Sequence, residues 1–286
     1  MKKLIIVLFA LLMLVGCTSK GYSKLSDGSD VIFTGPNVTY TKDDLYGLLK
    51  VSSEKSIEND VLKKIATNLE IDLTEVDKEA TDMVEMYKSM GYEEAIIAYY
   101  GSLDAFKETY MASGIMTKLS EVYINDNYDK LVKDDKPVKM QLASFGDQET
   151  AQKFKDEVAA GTSFEEAAVN NGYTTECPES VYLDSDDLPF QIKSYLNETV
   201  DTGLSSVIVN TTTSTDSDGN PITLDTFYVL NIVSRNAEDF KEDYKAARLE
   251  KSGEAGVKEY LFSKHDIKFY DQDIYEIMKS QYEVLQ

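Results

Sequence analysis

One histidine in 286 residues, His265, limits the chemistry open to this chain. A nucleophilic triad needs an imidazole to take and return a proton, and the common zinc centres use several imidazoles or thiolates. His265 stands in Ser263-Lys264-His265-Asp266 at an expected helix end, the setting of a surface residue. Two acidic groups suggest calcium: Asp184, Asp186 and Asp187, then Asp216, Asp218 and Asp225. In the second group Gly219 falls at the fourth place of a calcium loop, not the sixth, where the sharp turn is needed. Both groups read as solvated loops. Neither a Walker motif nor a dinucleotide glycine motif occurs. A stripe of Met83, Met86, Tyr87 and Met90 lies on one expected helix face. Thioethers repack around varied partners, so the stripe is either core packing or an adaptable binding surface.

The two cysteines differ in prospect. Lys2-Lys3, the unbroken apolar residues 4–15 and Gly16 lead directly to Cys17. That is the layout of a secretory signal peptide ending in a cysteine able to carry lipid. The apolar run is too short for a membrane-spanning helix, which needs about 20 residues. Diacylglycerol on the Cys17 sulfur supplies two acyl chains, and stable anchoring takes two. The mature chain is thus expected to begin at Cys17, on the extracytoplasmic face of a cell membrane, held there by lipid. Cys177 then has no partner for an intrachain disulfide, and the fold must rest on packing. The net charge of −22 leaves no basic surface for nucleic acid.

The elements that must position these residues follow from periodicity. Residues 17–30 read as a flexible tether. A short hairpin at 31–40 precedes a long helical region. Thr41 with Asp44 and Thr74 with Asp77 form capping boxes. Ile57, Val61, Leu62, Ile65 and Leu69 make one apolar stripe, and Val76, Ala80, Met83, Val84 and Tyr87 another, stopped by Gly91. A long helix starts at Ser102 and reaches about Lys133. After Pro137 comes a strand at 138–145, a helix at 147–160 and a shorter one capped by Ser163. Beyond Gly172 the chain is irregular and acidic. Strands at 205–209 and 227–233 flank the turn Asp218-Gly219-Asn220. Helical pattern returns from Glu238, with a strand-like scrap at 267–270.

Residues 138–233 resemble a diverged parvulin domain, and their surroundings resemble the chaperone domain of PrsA-type foldases, with similarity to SurA and trigger factor. The likeness is carried by Val-Lys-Met-Gln-Leu at 138–142, Glu-Thr-Ala-Gln-Lys-Phe-Lys at 149–155 and Ala-Gly-Thr-Ser-Phe-Glu-Glu-Ala-Ala at 160–168. It continues through Leu-Pro-Phe at 188–190, Gly-Leu-Ser at 203–205 and Phe-Tyr-Val-Leu-Asn-Ile-Val at 227–233. Outside that segment Tyr-Thr-Lys-Asp-Asp-Leu at 40–45, Ser-Leu-Asp-Ala-Phe-Lys-Glu at 102–108 and Lys-His-Asp-Ile-Lys-Phe at 264–269 resemble the helical part. The resemblance implies a pocket at Met140, Cys177, Phe190, Tyr228 and Val229. Active parvulins carry a histidine on the first strand and one on the last; here Met140 and Val229 stand at those places, to within one residue. Cys177 lies near the family's catalytic Cys or Asp, where a small buried hydrophobe is the alternative. Such a pocket is expected to bind apolar peptide and to leave the isomerisation barrier of about 18–20 kcal/mol in place.

The expected fold is α+β: a SurA/trigger-factor-like helical chaperone domain with an inserted parvulin-like α/β domain. Its parts are residues 1–16 as signal peptide, 17–30 as tether, 31–135 and 236–286 as the helical domain, and 136–235 as the parvulin-like domain. The expected function is that of a membrane-anchored extracytoplasmic folding factor for unfolded or newly secreted polypeptides. Clients would meet Met83, Met86, Tyr87 and Met90. Neither a cofactor nor a metal is implied. The alternatives are a weak prolyl isomerase working around Cys177 and a ligand-capturing lipoprotein of a transporter; the latter would want two α/β lobes.

Overall fold

A computed structural model describes residues 26–35, 38–52, 54–172, 177–215 and 219–285. Cys17, and with it the expected signal peptide and lipid anchor, lies outside them. Strands β1 (Val31–Gly35) and β2 (Val38–Thr41) lead to helices α1 (Lys42–Ser52), α2 (Glu54–Asn68), α3 (Thr74–Ser89), α4 (Glu93–Tyr100) and α5 (Leu103–Asp126). There follow α6 (Tyr128–Asp135), β3 (Val138–Phe145), α7 (Gln148–Ala159), α8 (Phe164–Asn170), β4 (Ser180–Tyr182) and α9 (Phe190–Glu198). Strands β5 (Gly203–Leu204), β6 (Ile208–Thr215) and β7 (Pro221–Ser234) come next, then α10 (Lys241–Glu250), α11 (Glu254–Lys264) and α12 (Gln272–Gln281). The fold is α+β. The chain divides into two compact units, one of Met1–Tyr123 with Gly253–Gln286 and one of Ile124–Ser252.

The helical unit closes around one core to which distant parts of the sequence contribute. Leu62 and Ile65 of α2, Val76 and Ala80 of α3, Ile115 and Leu119 of α5, Val257, Leu261 and Phe262 of α11 and Met278 of α12 pack together. Helices α3 and α5 approach so closely at Gly114 that a Cβ there would lie 2.6 Å from Val76 Cγ1. Glu58 is buried within this unit; it pairs with Lys258 Nζ at 2.5 Å and accepts the Tyr282 hydroxyl proton. That pairing satisfies a carboxylate that would otherwise cost several kcal/mol to bury.

Local signals decide the helix ends. The Asp44 carboxylate accepts from Thr41 N–H at 2.8 Å and Thr41 Oγ1 accepts from Asp44 N–H at 3.3 Å, the reciprocal box expected ahead of α1. The end of the expected tether is not free: Lys42 pairs with Asp27 and with Asp30, and Asp43 N–H donates to the Gly28 carbonyl at 2.8 Å. Thr74 does not cap α3. Asp72 Oδ1 accepts from Thr74 N–H at 2.9 Å instead, because a carboxylate two residues ahead closes the turn before the hydroxyl can. Gly91 and Gly101, each at φ +83°, end α3 and α4 in the left-handed region that glycine alone enters freely. The long helix breaks at Asn127 rather than running through to Lys133. Residues 267–270 form no strand; Ile267 and Phe269 pack against the helical core from an irregular segment.

The sheet unit is built on antiparallel strands in the order β4-β3-β7-β5, with β6 also pairing β7. Alternation along β3 and β7 sends side chains to two faces. Val138, Met140, Leu230 and Ile232 meet Ile192 of α9 on one face, while Ala143, Phe145 and Val229 meet Phe154 of α7 and Phe164 of α8 on the other. Asp147 and Ser163 cap α7 and α8, accepting from Thr150 N–H at 2.8 Å and Glu166 N–H at 3.1 Å. Helix α9 occupies a stretch expected to be irregular. Pro189 sets its entry and Ile192 supplies its single fully buried anchor. Strand β6 begins later than expected and runs farther, since the β-branched Thr211, Thr212, Thr213 and Thr215 pair with 221–225.

Candidate functional site

Among the residues of β3 and β7 that face α7 and α8 is a buried polar side chain, Gln141. Gln141 is 5% exposed and sits directly across from Asn231. Asn231 Nδ2 donates to Gln141 Oε1 at 2.9 Å, and Gln141 Nε2 donates to Glu165 Oε1 at 2.6 Å and to the Cys177 carbonyl at 3.3 Å. The ionised carboxylate of Glu165 can only accept, which fixes the direction of the Gln141 amide and leaves its oxygen for Asn231. Glu165 is placed by the first turn of α8, and Cys177 by the segment that leads to β4. The Cys177 thiol is buried. Burial first, and the Glu165 charge second, push its pKa up, so it rests as a neutral thiol and not as a nucleophilic thiolate. Nearby, Ser205 is buried too, its hydroxyl donating to the Ser206 carbonyl at 2.7 Å and accepting from Leu230 N–H at 2.9 Å.

This arrangement can hold dipoles in place. Neither amide takes or gives a proton at ordinary pH, the thiol is held neutral, and the Gln141 amide is consumed by partners within the fold. Catalysis of prolyl rotation calls for donors aimed at the reacting peptide in a water-poor pocket. Gln141 has both its nitrogen and its oxygen committed elsewhere.

The five residues expected to form one pocket do not converge. Met140 and Val229 are both fully buried but lie on opposite faces of the sheet. Tyr228 shares the Met140 face and Cys177 the Val229 face, while Phe190, at the start of α9, is 76% exposed. A slip of one residue accounts for this, because the side-chain period of a strand is two. The cross-strand pair that does meet beside Cys177 is Gln141 with Asn231. The one signal for it was Asn231 interrupting the apolar run at 227–233; Gln141 falls at a polar place in the alternation of Val138, Met140 and Leu142 and reads as outward-facing.

The helical unit offers a different surface. Val84, Ile96 and Phe106 form a small buried cluster at the far end of α3, with Tyr87 packed edge-on to Phe106 at 5.4 Å between ring centroids. Around it several apolar side chains stay exposed. Met83 and Tyr87 are half-buried, Met86 is exposed, Met90 is 58% exposed and Tyr99 is 83% exposed. Of α4, whose sequence is Glu-Glu-Ala-Ile-Ile-Ala-Tyr-Tyr, Ile96 alone is buried. Ring contacts of Tyr100 with Phe106 at 5.0 Å and with Tyr99 at 4.8 Å hold the exposed aromatics on a fixed base. Met86 and Met90 thus belong to an outward face, and Tyr87 bridges it to the core. Sequence reading missed Tyr92, Ile97, Tyr99 and Tyr100, which are exposed as well.

Elsewhere Asp186 pairs with Lys251 at 2.6 Å and accepts from Leu183 N–H at 2.9 Å, Asp184 pairs with Lys136 at 3.7 Å and Asp225 accepts from the Thr211 hydroxyl at 2.6 Å, while Asp216 and Asp218 lie outside the described residues. His265 caps α11, half-buried. No helix among the described residues is long and apolar enough to cross a membrane.

No family model matches the sequence, and no curated protein matches it. Solved structures do. The foldase protein PrsA of Streptococcus pneumoniae matches with 16% identity over 88% of this chain and 100% of its own, at a TM-score of 0.41. The peptidylprolyl isomerase PrsA of Bacillus cereus matches with 16% identity over 89% of this chain and 99% of its own, at 0.43. The foldase protein PrsA of Lactococcus lactis matches with 15% identity over 89% and 100%, at 0.40. At such identities and scores, the functional reading rests on the residues themselves.

Proposed function

We propose that this chain is an extracytoplasmic folding factor, tethered to the membrane by lipid on Cys17, that holds unfolded polypeptides on its helical unit and lacks effective prolyl isomerase activity. The observation that carries this reading is the apolar exposure at the end of α3 and around α4: Met86, Met90, Tyr92, Ile97, Tyr99 and Tyr100 remain exposed beside a cluster anchored by buried Phe106. Exposed apolar side chains in such numbers suit an interaction site, and methionines and tyrosines adapt to partners of varied sequence. The surrounding acidity, −22 over the chain, keeps such a surface and its cargo in solution. The PrsA structures similar to this chain are described as foldases or peptidylprolyl isomerases, and the folding-factor reading agrees with the first of these descriptions. The inactive central unit is supported by the absence of histidine from 124–252 and by the commitment of Gln141 to internal partners.

Two assays run side by side test the reading. The intact protein should suppress aggregation of a denatured client at stoichiometric amounts, and should leave the rate of a prolyl peptide assay at its uncatalysed value. Met90→Ser/Ile97→Ser/Tyr99→Ser should lose most of the suppression with the fold retained, since all three side chains are exposed. Absence of suppression by the parent protein would defeat the reading. Robust prolyl turnover, abolished by Gln141→Leu, would instead favour an isomerase built on the Gln141–Asn231 pair. For the anchor, Cys17→Ala should move the protein from the membrane pellet to the soluble fraction.

A further inference from the structure

The hairpin of β6 and the first half of β7 carries an edge that no other strand covers. From Ile208↔Tyr228 to Thr215↔Pro221, β6 pairs with β7 in continuous register, and among the described residues it pairs with no other strand. Ile208 is its one buried residue, and Thr211 through Thr215 are all exposed. Its sequence, Ile-Val-Asn-Thr-Thr-Thr-Ser-Thr, has no charge, no proline and no glycine, in a chain of which 28% is charged. Proteins usually blunt an edge by shortness, lysine, proline or a bulge. β6 has none of these, and its β-branched residues favour the extended form. In an antiparallel ladder every second residue turns its N–H and C=O away from the partner, so about four residues of β6 present unused backbone groups outward.

We propose that the outer edge of β6 accepts an extended segment of another polypeptide as an added strand, main chain to main chain, and that the segment belongs to an unfolded client. The identity of the occupant rests on the folding-factor reading above. The chemistry of the edge selects it: alternating donors and acceptors at the strand repeat are matched by another extended backbone, and not by a helix, whose groups are bonded internally. A second copy of this chain would bring the same charge of −22 against it, and like charges of that size repel. An uncharged or basic segment meets no such opposition. Strand addition draws its affinity from backbone hydrogen bonds, with side-chain pockets adding specificity. The small, polar side chains of Thr211, Thr212 and Thr213 offer no deep pockets, so this edge reads extension and not sequence. A factor that must serve many clients needs that property.

Hydrogen exchange on the intact protein tests this, alone and with reduced, carbamidomethylated ribonuclease A, a basic chain that stays unfolded. Amides in 208–215 should slow at least tenfold when the client is added. Thr212→Pro and Thr213→Pro sharpen the result. One of two neighbouring residues must point its N–H outward, so one variant spares the hairpin while removing an edge donor. The variant that keeps normal protection of 221–228 should bind the client at least threefold more weakly. If the client binds and its aggregation is suppressed while 208–215 exchange as in the free protein, strand addition is overturned and the folding-factor reading stands. If the client does not bind at all, that reading falls and the inference falls with it. Protection of 208–215 that appears in the protein alone and grows with its concentration would identify a second copy as the occupant and overturn the proposal.

Discussion

In the helical unit, tyrosines and methionines at the end of α3 and along α4 face solvent, while a glutamate, Glu58, is buried and paired with Lys258. In the sheet unit, Met140 and Val229 are sealed from solvent, and the buried polar groups are uncharged, the Gln141 amide and the Ser205 hydroxyl. Apolar exposure is normally a cost, and a unit that keeps it on a rigid base is built to bind. A sheet whose polar pair is hydrogen-bonded to itself is built to persist. The contrast is between apolar side chains left open to solvent in one unit and a sheet interior whose polar groups are satisfied from within in the other.

The largest effect expected from breaking this contrast is on the helical unit. Val257, Leu261, Phe262 and Met278 are each nearly or fully buried and come from the last part of the chain. Removing residues 253–286 strips them from a core shared with α2, α3 and α5. At about 1.5–3 kcal/mol per buried side chain, the four together are worth roughly 6–12 kcal/mol, as much as the whole stability of an ordinary domain, about 5–15 kcal/mol. The truncated protein should lose the helical signal of this unit in circular dichroism and cease to suppress aggregation. The sheet unit, with its own core, should keep a cooperative urea transition.

A middle-sized effect should come from Gln141. Gln141→Leu leaves the buried Cys177 carbonyl and the half-buried Asn231 Nδ2 without their partner, and an unsatisfied buried group costs about 1–3 kcal/mol. Replacing both members of the cross-strand pair, as Gln141→Leu/Asn231→Leu, removes the orphaned amide and should recover part of the loss. Urea midpoints of the two singles and the double measure the coupling. A double variant as unstable as the sum of the singles would show that the amides do not act as a pair.

How much of this could be read from the chain depended on which interaction set each feature. Caps and glycine stops are local, and Thr41, Asp147, Ser163 and Gly91 act where their residue types place them. Asp72 overrode Thr74 because two competing caps lie within two residues, and sequence gives no rule for their precedence. The strand pairing of Gln141 with Asn231 spans 90 positions. Its register rests on the bulge where Lys139 and Met140 shift against β7, and a shift of one residue reverses every face. Helix α4 was hidden for the opposite reason. Its apolar residues do not segregate to one side, because most of them are not buried.

The smallest effect, and the one that bears most directly on whether the sheet unit keeps any chemistry, is the pH dependence set by Cys177. Burial raises the thiol's pKa, and the Glu165 charge raises it further. An unfolded cysteine ionises near its ordinary value of about 8.5, so the native state holds the proton to higher pH than the unfolded state does. The stabilisation tied to this group is therefore complete below about pH 8.5 and is lost as pH climbs through the raised native value. Tyr182 shares part of this environment and is shifted upward by its own burial, so the parent curve alone does not isolate the thiol. The difference between parent and Cys177→Ala does. That difference should be flat from pH 6 to 8 and should then turn against the parent as pH rises further. Alkylation of the native thiol by iodoacetamide should also be slower than that of free cysteine throughout the range. A rapidly alkylated Cys177, with a difference curve that already slopes near pH 7, would mean that the thiolate is favoured in the native state. In that case the sheet unit would hold a reactive group where the burial of Cys177 and the nearby charge of Glu165 predict a silent one.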